Sequence, residues 1–166
     1  LHPDTEYICY QAFYGFRGEI VFNSKLKGIG EEAIVERLEL IMKQAGVTSD
    51  LAPCVSVALL REQTTGAPAA AMELPDGRIV TGKTSSLLGA SSAALLNAIK
   101  LVAGIDDNLD VITPEVIEPI QKLKTEYLGN HNPRLHTDEV LIALSICAVT
   151  DENAKKAMDT LPKLKG

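Results

Sequence analysis

The stretch from Ser85 to Ala103 constrains this chain more than any other. Leu87, Leu88, Ala90, Ala93, Ala94, Leu95, Leu96, Ala98, Ile99, Leu101 and Val102 leave a helix that is apolar on most of its circumference. Such a helix must be covered from several sides and cannot simply lie on a surface. Thr84 or Ser85 is placed to cap its first turn, a contribution of about 1 kcal/mol, and Gly104 to end it. Gly89, Ser91 and Ser92 keep part of it thin, so that another stretch of backbone can approach closely.

What precedes the helix reads as a hairpin. Ala69–Leu74 and Arg78–Gly82 flank Pro75-Asp76-Gly77, whose residue types supply turn chemistry. The same stretch, Gly77-Arg78-Ile79-Val80-Thr81-Gly82-Lys83-Thr84, is a literal match to the phosphate-binding pattern G-x-x-x-x-G-K-[ST]. In that pattern backbone N–H groups must wrap a phosphate. Ile79, Val80 and Thr81 are β-branched and favour extended chain instead, so the hairpin is the expected form and a nucleotide-hydrolysing loop the lesser alternative.

Elsewhere the pattern is mostly helical. Ile34, Leu38, Ile41 and Ala45 recur at helical spacing before Gly46. A second helix is expected from about Leu51 to Gln63, with Pro53 in its tolerant first turn. Leu109–Ile112 reads as a short strand; lying parallel beside the hairpin, it would make the buried helix a right-handed crossover. Thr113-Pro114 opens a helix with a kink or restart expected at Pro119, and Gly129 closes it. Thr137 is placed to cap a helix from Asp138 to about Val149, and Thr150 or Asp151 starts a last one ending near Leu161-Pro162.

A chain of 166 residues suits one domain that buries about 70% of its unfolded surface. Hydrophobic and charged fractions of 46% and 23% are those of a globular protein. The net charge of −6 argues against nucleic acid as a partner, which would call for clustered Lys and Arg. No apolar run reaches membrane length. Cys9, Cys54 and Cys147 are odd in number and widely spaced, as reduced thiols of a cytoplasmic protein would be. Tyr7, Tyr10, Phe13, Tyr14, Phe16 and Phe22 all precede residue 23, leaving Tyr127 alone afterwards. Residues 1–30 therefore read as a separate aromatic-rich segment, and 31–166 as one domain with an aliphatic core.

Two places carry candidate chemistry. Lys83, Thr84 and Ser85 stand where a strand meets the buried helix, and helix N-termini attract anions through unpaired N–H groups and the macrodipole. Arg134 and His136 lie just before the next apolar helix; Arg134 offers a fork suited to carboxylate or phosphate. The plainer reading is a capped helix with a solvated lysine at the first, and a surface ion pair at the second. His2, His131 and His136 form no metal-binding pattern, so no metal is expected, and no cofactor can be named. The hairpin–helix–strand order matches cytidine-deaminase-like folds, but their catalytic Glu and P-C-x-x-C are absent.

From about Glu31 onward the chain resembles the C-terminal part of a bacterial family, domain of unknown function 1846. The resemblance is carried by Leu74-Pro75-Asp76-Gly77-Arg78-Ile79-Val80-Thr81-Gly82-Lys83-Thr84-Ser85 and Leu87-Leu88-Gly89-Ala90. Pro114-Glu115-Val116-Ile117-Glu118-Pro119-Ile120, Asn132-Pro133-Arg134-Leu135-His136-Thr137-Asp138-Glu139-Val140 and Leu161-Pro162-Lys163-Leu164-Lys165-Gly166 add to it. It implies that the chain is a fragment of a much longer protein with a separate N-terminal α/β part. Some members carry a label as ATP-dependent zinc proteases, which no motif in this sequence supports.

The expectation is thus a helix-rich α/β domain with a small sheet built on a hairpin at about 69–82. Its function would be to contribute an anion-binding wall, made of Lys83, Thr84, Ser85, Arg134 and His136, to a ligand site completed by the rest of the chain. The alternative is a structural or oligomerisation domain whose small-residue helix surfaces pack against other subunits.

Overall fold

The computed structural model describes residues 40, 43–46 and 53–164. The expected helix ending at Gly46 is described only at Leu40 and 43–45, which are helical; the rest of it, and the aromatic segment, lie outside the described residues. In chain order the elements are α1 (Pro53–Thr65), β1 (Ala69–Glu73), β2 (Ile79–Lys83), α2 (Ala90–Ala103), α3 (Pro114–Lys122), a π-helical turn (Leu123–Tyr127), α4 (Thr137–Cys147), α5 (Glu152–Thr160) and a closing 3₁₀ turn (Leu161–Leu164). The fold is α/β and helix-rich, with a two-stranded antiparallel sheet among the described residues.

The hairpin forms where the turn residues put it. Ala69 pairs with Lys83 and Glu73 with Ile79. Gly77 takes φ 82° in the turn, a conformation that costs glycine little. The phosphate-loop match is therefore realised as turn plus strand, because three β-branched residues in succession hold the chain extended.

Small residues decide how the sheet meets α2. A β-carbon on Gly82 would lie 2.6 Å from the Ala90 carbonyl oxygen and the Ala93 carbonyl carbon, and against the Ala94 nitrogen. Only glycine admits that approach. Ala70, Ala90 and Ala94 fill the same seam, and Ala71 on the other face packs with Cys54 and Ala58 of α1. The sheet thus lies between α1 and α2. Ile99, Leu135, Val140, Leu144 and Leu164 are buried almost completely in the main core, which joins α2, α3, α4 and α5.

Three local expectations change. The helix starts at Ala90 with Gly89 as its N-cap residue, not at Ser85, because 85–88 close a turn on Ser85 and Leu88 bridges to Leu135, distant in sequence. Leu109–Ile112 is not a strand: Asp106 accepts from the N–H groups of Asn108 and Leu109, and these local turns bend the chain. Val111 and Ile112 are buried nonetheless, so their apolar signal reported burial and not extension. α3 runs through Pro119 without a restart, and the winding changes to a π-turn only from Leu123. At the last helix, Asp151 is the cap, accepting from the Ala154 N–H at 2.7 Å.

Candidate functional site

The two candidate loops meet. Leu88 and Leu135 form a parallel bridge: the Leu135 N–H donates to the Leu87 carbonyl at 2.9 Å and the Gly89 N–H to the Leu135 carbonyl at 3.2 Å. The buried Ser92 hydroxyl also donates to the Leu135 carbonyl, at 2.8 Å. The thin part of α2 is therefore where residue 135 of the same chain comes in, and Ser92 is 1% exposed beneath it.

Arg134 ties the junction from the side. Its Nε donates to the Ser85 carbonyl at 2.7 Å, and the Gln121 amide reaches the Ser86 carbonyl at 3.3 Å. Ser85 is committed to its own turn, with its hydroxyl accepting from the N–H groups of Leu87 and Leu88. It caps that turn and not a helix. Thr84 donates its N–H to the Pro68 carbonyl at 2.8 Å and continues the hairpin pairing. Lys83 ends β2, exposed, with no hydrogen bond or ion pair to any described residue.

His136, not Thr137, is the N-cap residue of α4. Its N–H donates to Glu139 Oε2 at 2.8 Å, the reciprocal half of a capping box. The same oxygen receives Lys124 Nζ at 2.7 Å, and that ammonium also donates to the Arg134 carbonyl at 2.6 Å. Lys124 is 3% exposed. A buried ammonium is tolerated when charge and hydrogen bonds both meet it, and here one carboxylate and one carbonyl do. The π-turn, loop 132–136 and the start of α4 are thereby locked by one side chain.

The sequence singles out Lys83, Thr84, Ser85, Arg134 and His136 as candidates, but not Lys124 or Gln121, nor the pairing of Lys124 with Glu139. Lys124 had a local signal only in being a lysine inside an otherwise helical run; its partner is fifteen residues away. Since Lys124 and Glu139 pair with each other, Arg134 is, among the described residues, the unpaired cation of those that bond across this junction, and Lys83 stands two residues before Ser85 in the chain. Among the described residues no group of three His, Cys, Asp or Glu side chains gathers as a metal site, and no helix is long and apolar enough to cross a membrane.

Residues 50–166 match the family described as domain of unknown function DUF1846, C-terminal. The chain is 55% identical to a UPF0371 protein of Corynebacterium efficiens over 136 residues, which are 82% of this chain and 28% of the relative. It is 57% identical to one of Corynebacterium aurimucosum over 79% of this chain and 26% of the relative. With UPF0371 proteins of Streptococcus pyogenes it shares 46% identity over 157 residues, 95% of this chain and 30% of theirs, a span that takes in most of residues 1–30. The chain thus spans less than a third of the length of these relatives. It belongs to the DUF1846 family, and residues 50–166 are the C-terminal domain of that family.

Proposed function

We propose that this domain supplies an anion-recognising wall to a ligand site that the rest of the full-length protein completes. The observation that carries this reading is the hydrogen bond from Arg134 Nε to the Ser85 carbonyl. It draws the guanidinium to the loop that Lys83 leads into and leaves its two terminal nitrogens without a partner among the described residues. A guanidinium fixed at Nε presents its other N–H groups with little further loss of freedom, which suits carboxylate or phosphate oxygens. Lys83 adds a mobile ammonium, and His136 leads into the N-terminus of α4, where the macrodipole favours negative charge. These are binding roles; no nucleophile or general base is assigned. Thr84 and Ser85 serve the wall through their backbone turn, since the Ser85 hydroxyl is already occupied.

The test is a thermal-shift screen of the full-length protein against phosphate-bearing and polycarboxylate compounds. A specific ligand at about 100 times its Kd stabilises the folded state by roughly 2.7 kcal/mol. The reading expects at least one anionic compound to raise Tm in wild type and to lose that effect in Arg134→Ala. If no anionic compound gives a concentration-dependent shift, or the shift is the same in Arg134→Ala and Lys83→Ala, the wall is structural.

A further inference from the structure

Among the described residues the outer edge of β2 pairs with no further strand. The Thr84 N–H donates to the Pro68 carbonyl and the Leu74 N–H to the Arg78 carbonyl, which sets the parity of the ladder. With Ala70 opposite Gly82 and Met72 opposite Val80, those are the pairs that exchange backbone hydrogen bonds. The main-chain groups of Ile79, Thr81 and Lys83 consequently point away from β1, because pairing alternates along an antiparallel strand. Among the described residues one group meets them: the Asn97 amide donates to the Thr81 carbonyl at 2.8 Å. That carbonyl keeps a second lone pair, and the N–H groups of all three residues have no described partner.

Asn97 also marks what lies beside this edge. It lines an open cavity of about 260 Å³ that follows Ala93, Leu96 and Lys100 along α2 and is lined on another side by 109–112. This segment reads as a strand in the sequence and is bent in the structure, at a distance that leaves the cavity between it and the helix.

We propose that the β2 edge is the seat of a further strand, contributed by a segment of the full-length polypeptide beyond the described residues. The two strands found among the described residues are below the size of sheet that is usually stable, and long unpaired edges are normally covered. The relatives carry more than twice as much chain again beyond the matched region. A segment of the same polypeptide arrives at an effective concentration near millimolar. A second copy pairing through five residues would bury far less than a stable dimer requires. The incoming strand would pair with Ile79, Thr81 and Lys83 by its main chain, as in strand addition to other open sheets. Side chains entering the neighbouring cavity would meet apolar Leu96, Leu109, Val111 and Ile112 and polar Asn97, Lys100, Asp107 and Asp110, so mixed and not purely apolar residues would suit it. The inference is independent of the anion reading.

The experiment uses the full-length protein. Thr81 lies opposite Ala71 in a pair that does not exchange hydrogen bonds, so Thr81→Pro deletes an outward N–H and spares the ladder; proline is tolerated in a strand only where that N–H faces solvent. Tm should fall clearly in Thr81→Pro and little in Thr81→Val. In wild type, residue-resolved amide exchange at Ile79, Thr81 and Lys83 should be slower than free-peptide rates by about a thousandfold. Exchange at those amides near free-peptide rates overturns the proposal, as does protection that disappears on dilution, which would make a second copy the occupant. If Thr81→Pro does not fold, the wild-type exchange decides alone.

Discussion

The seam between the hairpin and α2 and the junction between loops 84–88 and 132–136 solve the same problem in opposite ways. Each brings backbone close to α2. The seam does it by removing side chains: Gly82, Ala70, Ala90 and Ala94 leave nothing between strand and helix. The junction does it by adding polar ones: Ser92, Gln121, Lys124 and Arg134 each satisfy a carbonyl of the two loops. A contact made of absences tolerates no added atom, whereas a contact made of separate hydrogen bonds loses them one at a time. The seam is therefore scaffold, and the proposed anion wall belongs to the adjustable side.

The largest expected effect is at the seam. Gly82→Val places two methyl groups against helix backbone that cannot yield, so it should cost at least about 3 kcal/mol or prevent folding; urea unfolding followed by far-ultraviolet dichroism measures it. A loss below 1 kcal/mol, on the order of an ordinary surface change, would mean the seam is looser than described.

At the junction, Lys124→Met should cost about 2–4 kcal/mol, somewhat under the usual range for breaking a buried pair, because the Glu139 side chain keeps 25% exposure. Adding Glu139→Gln should return part of that loss, since the two residues are coupled. Purely additive losses in the same unfolding experiment would contradict a single lock. Ser92→Ala should cost about 0.5–1.5 kcal/mol, the usual worth of one hydrogen bond, because the Leu135 carbonyl keeps the Gly89 N–H.

The smallest effect is at the hairpin turn. The Arg78 side chain, bonded to Asp76 at 2.8 Å, and then the Arg78 N–H, hold the Asp76 carboxyl below its ordinary value of 3.8. A carboxylate depressed in the folded state stabilises it fully above the unfolded pKa and loses that contribution as pH falls through the folded value. Wild type should exceed Asp76→Asn slightly and evenly above about pH 5, and the difference should vanish in stronger acid. Both groups are solvent-exposed, so the margin is minor.

The contrast also explains what could be read from the sequence. Pro75-Asp76-Gly77 specifies its turn within three residues, and the apolar run 90–103 specifies a buried helix whatever covers it. Leu87 and Leu88 look like the start of that helix because nothing local says otherwise; their conformation is imposed by Leu135, nearly fifty residues on. Val111 and Ile112 are apolar because they are buried, and the Asp106 turns override their extended preference. At the candidate site the residue types of Lys83 and Arg134 were legible and their setting was not. Lys124 and Glu139 give no local sign that one will be buried against the other.

The central claim is that Lys83 and Arg134 act on one anion. Its most direct measurement is a calorimetric titration of the best anionic compound from the screen into full-length wild type, Lys83→Ala and Arg134→Ala. Charge-assisted hydrogen bonds contribute roughly 1.5–3 kcal/mol each, so each substitution should weaken binding by about tenfold or more. Equal affinity in all three proteins would contradict the account and leave the junction a purely structural lashing.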